Sequence, residues 1–391
     1  MKRMFAAGLV STLALANAAL ADITIAHIYG KTGPLEAYAK QSHDGLMMGL
    51  EYATGGTMEI NGEKIVVIEK DTQLKPENGK ALLEEAYGDD EVDLAIGPVS
   101  SGVALAMLPV AEEYEKILIV HPAVADSVTG ENWNRYIFRT GRNSSQDAVA
   151  QAIAMAGEGV KIATLAQDYA FGHDGIAAFR EALEGTGAEI VHEEYVPTDT
   201  TDFTAAGERI FNAMKDLEGD KKVFVLWAGG GNPMGKLNAM DPGRFGIELA
   251  TGGNILAALS GYKEFPGMEG AIYYYYELPD NEVNDWLVEE HQARFGSPPD
   301  FFTAGGMTTG IAVVEAIKKA GSTDTEALIS AMEGMEWMTP KGMMTFRAED
   351  HQALQSMYHF KIRVDDSVEW AIPDLVRELT IDDLPIPVRN Q

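Results

Sequence analysis

Short, nearly uninterrupted apolar runs alternate with amphipathic stretches along almost the whole chain, and that alternation limits the fold more than any other feature. The runs fall at residues 23–28, 64–69, 92–96, 117–120, 161–166, 189–195, 223–227, 248–251 and 271–276, and most carry few polar residues. Strands buried on both faces of a parallel sheet read this way, whereas a sheet with one wet face alternates polar and apolar. Helical spacing fills the intervals at 35–53, 76–87, 103–114, 146–156, 176–184, 203–215, 282–295, 308–320 and 325–334. Strand followed by helix, repeated, predicts a doubly wound α/β chain with parallel central sheets.

Local signals divide that pattern. Asn61-Gly62, between Met58-Glu59-Ile60 and Lys64-Ile65-Val66, predicts a hairpin turn into the second long strand. After Tyr136-Ile137-Phe138-Arg139-Thr140, Gly141 interrupts the chain and Asn143-Ser144-Ser145-Gln146 caps a new helix, which marks a passage between domains. With 391 residues, 46% of them hydrophobic, the chain has material for two domains. Tyr273-Tyr274-Tyr275-Tyr276 extends the last run, and on a strand either two of these rings face a core and two a cleft, or all four pack in a core where the segment links two domains.

The N-terminus addresses the chain. Met1-Lys2-Arg3-Met4, an Ala/Leu-rich stretch over 5–18 and Ala19-Leu20-Ala21 form a secretory signal with a small-x-small cleavage site, so the mature chain is expected to begin at Asp22. With 0 Cys there is no disulfide and no lipid-anchored cysteine, which implies a freely soluble protein in a Gram-negative periplasm, without membrane insertion, and a monomer is expected. A net charge of −30 repels nucleic acid and anionic lipid, so the expected partners are a small molecule and a protein.

Catalytic signatures are missing. Gly97-Pro98-Val99-Ser100-Ser101-Gly102 does not have a nucleophile-elbow spacing, and His27-Ile28-Tyr29-Gly30-Lys31-Thr32-Gly33-Pro34 is neither a dinucleotide fingerprint nor a phosphate loop. The 8 histidines lack metal spacing, so no cofactor or metal is expected. What the sequence does offer is a set of strand ends opening into small or hydroxyl-bearing loops before helices, where open α/β sheets bind ligands. Ser101 stands out, as a hydroxyl at a helix start able to hold a carboxylate or simply to cap the helix.

Several segments together resemble the leucine/isoleucine/valine-type periplasmic binding proteins of ABC transporters. They are Thr32-Gly33-Pro34-Leu35, Ile96-Gly97-Pro98-Val99-Ser100-Ser101, Phe138-Arg139-Thr140 with Asn143-Ser144-x-Gln146, Asp168-Tyr169-Ala170-Phe171-Gly172 and the helix end Ala316-Ile317-Lys318-Lys319-Ala320-Gly321-Ser322. The resemblance implies a type I fold, two Rossmann-like lobes joined by three crossings, placed here near 140–141, 273–278 and 346–350. The lobes would comprise 22–140 with 277–346, and 141–276 with 347–391. It also implies a ligand-binding set of Tyr38, Ser100, Ser101, Ala123, Ala125, Tyr169, Phe171, Gly230, Asn232, Asn254, Tyr276 and Phe302, with Ser101 holding the ligand carboxylate and Ala123 offering a backbone acceptor.

Two positions depart from the amino-acid binders of that family. Where those hold the ligand ammonium with a threonine and an acid, this chain has Ala125 and Gly253-Asn254. An ammonium left unpaired in a dry cleft is costly. Either Asp126, Asp168 or Glu277 replaces the missing partner, or the ligand is an acid or amide without an amine. The expected function is therefore that of the non-enzymatic binding component of an ABC importer, with a membrane permease as partner. The alternatives are an extracytoplasmic sensor acting with a separate receptor, or an α/β hydrolase.

Overall fold

A computed structural model describes residues 22–391, so the expected signal peptide over 1–21 lies outside the described residues. The first sheet contains β1 (Ile23–Tyr29), β2 (Glu59–Ile60), β3 (Glu63–Asp71), β4 (Leu94–Ile96), β5 (Leu118–Val120) and β6 (Ile137–Arg139) in the order β2-β3-β1-β4-β5-β6. All pairs are parallel except β2 with β3, where Asn61 (φ 53) and Gly62 (φ 90) make the expected two-residue turn. A second, all-parallel sheet contains β7 (Lys161–Gln167), β8 (Glu189–Val196), β9 (Lys221–Leu226) and β10 (Ile247–Thr251) in the order β10-β9-β7-β8.

Helices α1 (Glu36–Ala53), α2 (Pro76–Gly88) and α3 (Ser101–Tyr114) follow strands of the first sheet. Helices α4 (Ser144–Met155), α5 (Ala170–Ala182), α6 (Thr204–Met214), α7 (Met234–Asn238) and α8 (Leu256–Gly261) accompany the second. Then α9 (Glu282–Phe295), α10 (Phe301–Ala320) and α11 (Thr325–Met332) return to the first lobe, where α10 lies along α1. Contact between those two helices is backbone to backbone. A Cβ on Gly45 would sit 2.0 Å from the Thr303 carbonyl oxygen, and one on Gly306 would sit 2.1 Å from that of Ser42. That closeness explains why α10 begins seven residues before its expected start at 308: Gly305 and Gly306 weaken helix propensity locally, and burial against α1 outweighs the loss.

The remaining strands are β11 (Glu269–Ile272), β12 (Glu336–Thr339), β13 (Gly342–Phe346), β14 (Ala353–Leu354), β15 (Met357–Arg363) and β16 (Ile372–Leu379). They form two small antiparallel sheets, β12-β13-β14 and β11-β15-β16. The apolar-run criterion misses all of them except β11, because one face is wet: Met338 and Met343, cross-strand partners, are 44% and 53% exposed.

Two expectations are corrected here. The run over 271–276 leaves the strand at Ile272, so the four tyrosines do not alternate across a sheet. Tyr273, Tyr274 and Tyr275 are instead buried in a connecting segment, the Tyr274 hydroxyl donating to Asn284 Oδ1 at 2.7 Å and the Tyr275 hydroxyl accepting from Trp370 Nε1 at 3.1 Å. The third passage between sheets lies at 355–356 rather than 346–350, since Ala353 and Leu354 still pair with β13 while Met357 already belongs to β15. Among the described residues no helix is long and apolar enough to cross a membrane.

Candidate functional site

A cavity of about 100 Å³ lies between the lobes, at the carboxyl ends of both parallel sheets. The first lobe gives it Leu35, Tyr38, Val99, Ser101, Phe301 and Phe302, and the second gives it Tyr169, Phe171, Leu226, Trp227, Thr251 and Asn254. The crossings add Arg142 and Tyr273. The wall is thus mostly aromatic and aliphatic, and among the described residues Arg142 and Asp147 are its only charged members.

Their placement follows from local sequence. Asn143 caps α4 by accepting from Gln146 N while the Gln146 side chain accepts from Asn143 N. Arg142 immediately precedes that cap and Asp147 lies in the first turn after it, where the helix dipole favours a carboxylate. Arg142 Nε donates to Asp147 Oδ1 at 2.6 Å. The guanidinium carbon stands 4.7 Å from the Phe301 ring centroid and 5.5 Å from that of Tyr273, within cation–π range. No protein acceptor lies within hydrogen-bond distance of its two terminal nitrogens among the described residues. Burial raises the Asp147 carboxyl above its ordinary value, against the pull of Arg142.

Other polar groups hold the lobes together across the cavity. The Tyr38 hydroxyl donates to Asn254 Oδ1 at 2.9 Å and accepts from Gly229 N at 2.9 Å. Asp300, the cap of α10, accepts from Phe301 N at 2.7 Å, from Gln41 Nε2 at 2.8 Å and from Leu256 N, at the start of α8, at 2.9 Å. Burial nevertheless pushes the Asp300 carboxyl up to about 6, the three donors opposing it.

Of the expected site residues, Tyr38, Ser101, Tyr169, Phe171, Asn254 and Phe302 line the cavity. The others lie outside its wall. Ser100 is the residue before α3, so Ser101 is the first helical residue rather than the cap, and its Oγ accepts from Ala125 N at 3.2 Å. Ala123 and Ala125 are buried beneath the loop, and the Ala125 carbonyl is taken by Arg139 Nη1 at 2.6 Å. The Gly230 carbonyl accepts from Trp227 Nε1 at 3.0 Å, and Asn232 Oδ1 accepts from Met234 N at 2.9 Å. Tyr276 is half-buried beside Tyr275 and Trp370, and Tyr273 occupies the wall instead.

None of the three acids considered as ammonium partners reaches the cavity wall. Asp126 is bonded to Ser145 and paired with Arg389 at 3.1 Å, Asp168 is exposed and paired with His173 at 2.8 Å, and Glu277 is exposed. The acid that does reach it, Asp147, and its partner Arg142 are not in the expected set. Their signal was legible as an opposite-charge pair flanking a capping box at a domain passage.

Residues 22–367 match the family model described as periplasmic binding protein. The Leu/Ile/Val-binding protein homolog 6 of Brucella melitensis is 26% identical, covering 95% of each chain. Among solved structures, an ABC-type branched-chain amino acid transporter from Rhodopseudomonas palustris CGA009 is 67% identical with TM-score 0.84, covering 95% of this chain and 100% of that one. A solute-binding protein of an ABC transporter from Rhodopseudomonas palustris BisB5, in complex with 3,4-dihydroxybenzoic acid, is 29% identical with TM-score 0.80, covering 94% of this chain and 99% of that one.

Proposed function

The chain belongs to the periplasmic binding protein family, whose members are solute-binding proteins and not enzymes, and on that premise we propose that it captures a small organic acid with an apolar or aromatic body for an ABC importer. The acid lies between the lobes, and the closed protein presents it to the membrane permease after export to the periplasm behind the signal peptide of residues 1–21. In this reading the chain crosses between the lobes in the segments that join β6 to α4, β11 to α9 and β14 to β15, at 140–143, 273–281 and 355–356.

The observation that carries this reading is Arg142. It brings two unpartnered guanidinium nitrogens to a cavity otherwise made of aromatic and aliphatic surface, a geometry suited to a bidentate carboxylate. The Ser101 hydroxyl, which accepts from Ala125 N, keeps its own hydrogen to donate. At about 100 Å³ the cavity is smaller than a dry cavity of about 150 Å³ that holds one benzene, which confines the ligand to a small body. The relatives named for branched-chain amino acids and the one holding a dihydroxybenzoic acid bracket the same class of compound.

A thermal-shift panel of benzoate, 4-hydroxybenzoate, 3,4-dihydroxybenzoate, 4-methylpentanoate, L-leucine and L-phenylalanine tests it. At 100 times its Kd a ligand stabilises by about 2.7 kcal/mol, which the melting temperature reports. Small-angle scattering with the hit should show compaction. A panel without any hit, or a hit that binds the Arg142→Gln variant as well as the wild type, overturns the reading.

A further inference from the structure

The wall of the cavity holds one cation and one anion already in contact, and that balance has a consequence for an entering acid. When the carboxylate of an acid without an amine meets Arg142, two carboxylates share one guanidinium between the closed lobes. An excess negative charge in so dry a site is unfavourable, and carboxylates that share a site are relieved when one of them is protonated. We propose that Asp147 is a proton acceptor linked to ligand capture: an amine-free monocarboxylate binds to Arg142 as the anion while Asp147 takes one proton from solvent. An amino acid, whose ammonium supplies the missing positive charge beside Asp147, binds without proton uptake. This rests on the reading that Arg142 receives the ligand carboxylate.

The surroundings single out Asp147 for this role. It is on the cavity wall and half-buried, Oδ1 holds Arg142 Nε, and no protein donor lies within hydrogen-bond distance of Oδ2 among the described residues. Burial already favours its neutral form. The ionisable groups around it are Arg142, Tyr273 from the second crossing, and Lys341 from the β12–β13 turn. Lys341 is buried outside the cavity wall, donating to Ser356 O at 2.6 Å and to Gln355 Oε1 at 3.3 Å with its Nζ 3.7 Å from the Tyr273 ring centroid. Charged groups on the elements packed against α4 are otherwise paired. On α5, Asp174 holds Ser127, Glu181 holds Arg389, Arg180 holds Glu193 and His173 holds Asp168. Glu269 of β11 holds His359 and Lys361 of β15, and Arg363 of β15 holds Asp374.

Isothermal calorimetry in two buffers of different ionisation enthalpy counts the protons. With benzoate or 3,4-dihydroxybenzoate, whichever binds, the wild type should take up close to one proton, and its Kd should rise roughly tenfold per pH unit above neutrality. Asp147→Asn should abolish the uptake, flatten the pH profile and bind the acid roughly tenfold more tightly than the wild type at about pH 8. A melting curve of the unliganded variant verifies its fold, and Asp147→Ser provides a second variant. Capture of an amine-free acid with zero proton uptake overturns the proposal while leaving the proposed function standing. So does uptake that persists in both Asp147 variants, which would move the proton to Lys341, and so does binding of only the amino acids. Failure of the whole panel to bind removes the proposed function and this proposal with it.

Discussion

Arg139 and Arg142 lie three residues apart at the first crossing, and their surroundings differ in kind. Arg139 is wholly buried, with Nε donating to Gln352 Oε1 at 2.5 Å, Nη1 to the Ala125 carbonyl at 2.6 Å and Nη2 to the Thr129 hydroxyl. Desolvation pushes it down to about 10, still charged at any physiological pH, while Asp126 and Asp350 oppose the shift. Arg142 makes one hydrogen bond, stacks on two rings and turns its remaining donors to the cavity. A cation with a partner for each of its nitrogens welds loops together; one with two nitrogens unpartnered at a cavity is equipped to hold something else. The same division separates Asp300, with three donors bound to it, from Asp147, with one oxygen free.

The contrast can be broken most forcefully at Arg139. Arg139→Met removes the donors that Arg139 gives to the Ala125 carbonyl, the Thr129 hydroxyl and Gln352 Oε1, leaving the first with Val128 N and the last with the Thr129 hydroxyl, and should lower unfolding stability by about 3–5 kcal/mol. Urea titration measures this. A loss below about 1 kcal/mol would contradict the welding role.

Asp300 tests the acidic half of the comparison through pH. Its carboxyl titrates at about 6 in the folded protein against an ordinary 3.8, so the folded state binds the extra proton between those values. Its contribution to stability is therefore most favourable below the lower value and declines as pH rises through 6, by about 2–3 kcal/mol in total. Asp300→Asn keeps an acceptor at the cap and removes the titration. The stability difference between wild type and variant should then change across pH 4–6 in the variant's favour. A constant difference would show that the donors around Asp300 outweigh its burial.

For Arg142→Gln the expectation is reversed relative to Arg139: affinity for the bound acid should fall by about 1.5–3 kcal/mol, with unfolding stability of the unliganded protein changed by less than about 1 kcal/mol. Calorimetry paired with urea titration separates the two readouts. A variant that unfolds early yet binds normally would place Arg142 with Arg139 as a structural residue.

The smallest effect belongs to Tyr38→Phe. The ring stays against Phe302, at a 4.4 Å centroid separation, while the two hydrogen bonds across the lobes are lost. Ligand affinity should weaken by about 0.5–1.5 kcal/mol through less favourable closure. Scattering should show the liganded variant no more compact than the wild type, and an unchanged affinity would mean that closure does not depend on this bridge.

Much of the architecture is legible along the chain. Every strand of the second sheet and all but β2 and β6 of the first coincide with an apolar run; most are buried on both faces, which leaves a continuous record in sequence, while β3 and the edge strand β8 are only partly buried. The β12–β16 strands leave no such record, having a wet face. The site is legible in part. Tyr38, Ser101, Tyr169, Phe171, Asn254 and Phe302 reach the cavity from loops and helix ends where such folds bind ligands, whereas Tyr276 misses it because its strand stops four residues short.

The sequence by itself determined the alternation of strand and helix, the hairpin at Asn61-Gly62 and the capped restart at Asn143, since each depends on the conformational preferences of neighbouring residues. Tertiary structure alone decided which charged groups are free to act. Every nitrogen of Arg139 is bonded, to Gln352, more than two hundred positions away, and to a loop between β5 and β6, while Asp300 is held by Gln41 and Leu256 from opposite lobes. A donor's vacancy is the absence of a partner in space. Adjacent residues carry no trace of it, and so two arginines three positions apart read alike in the chain and differ in the fold.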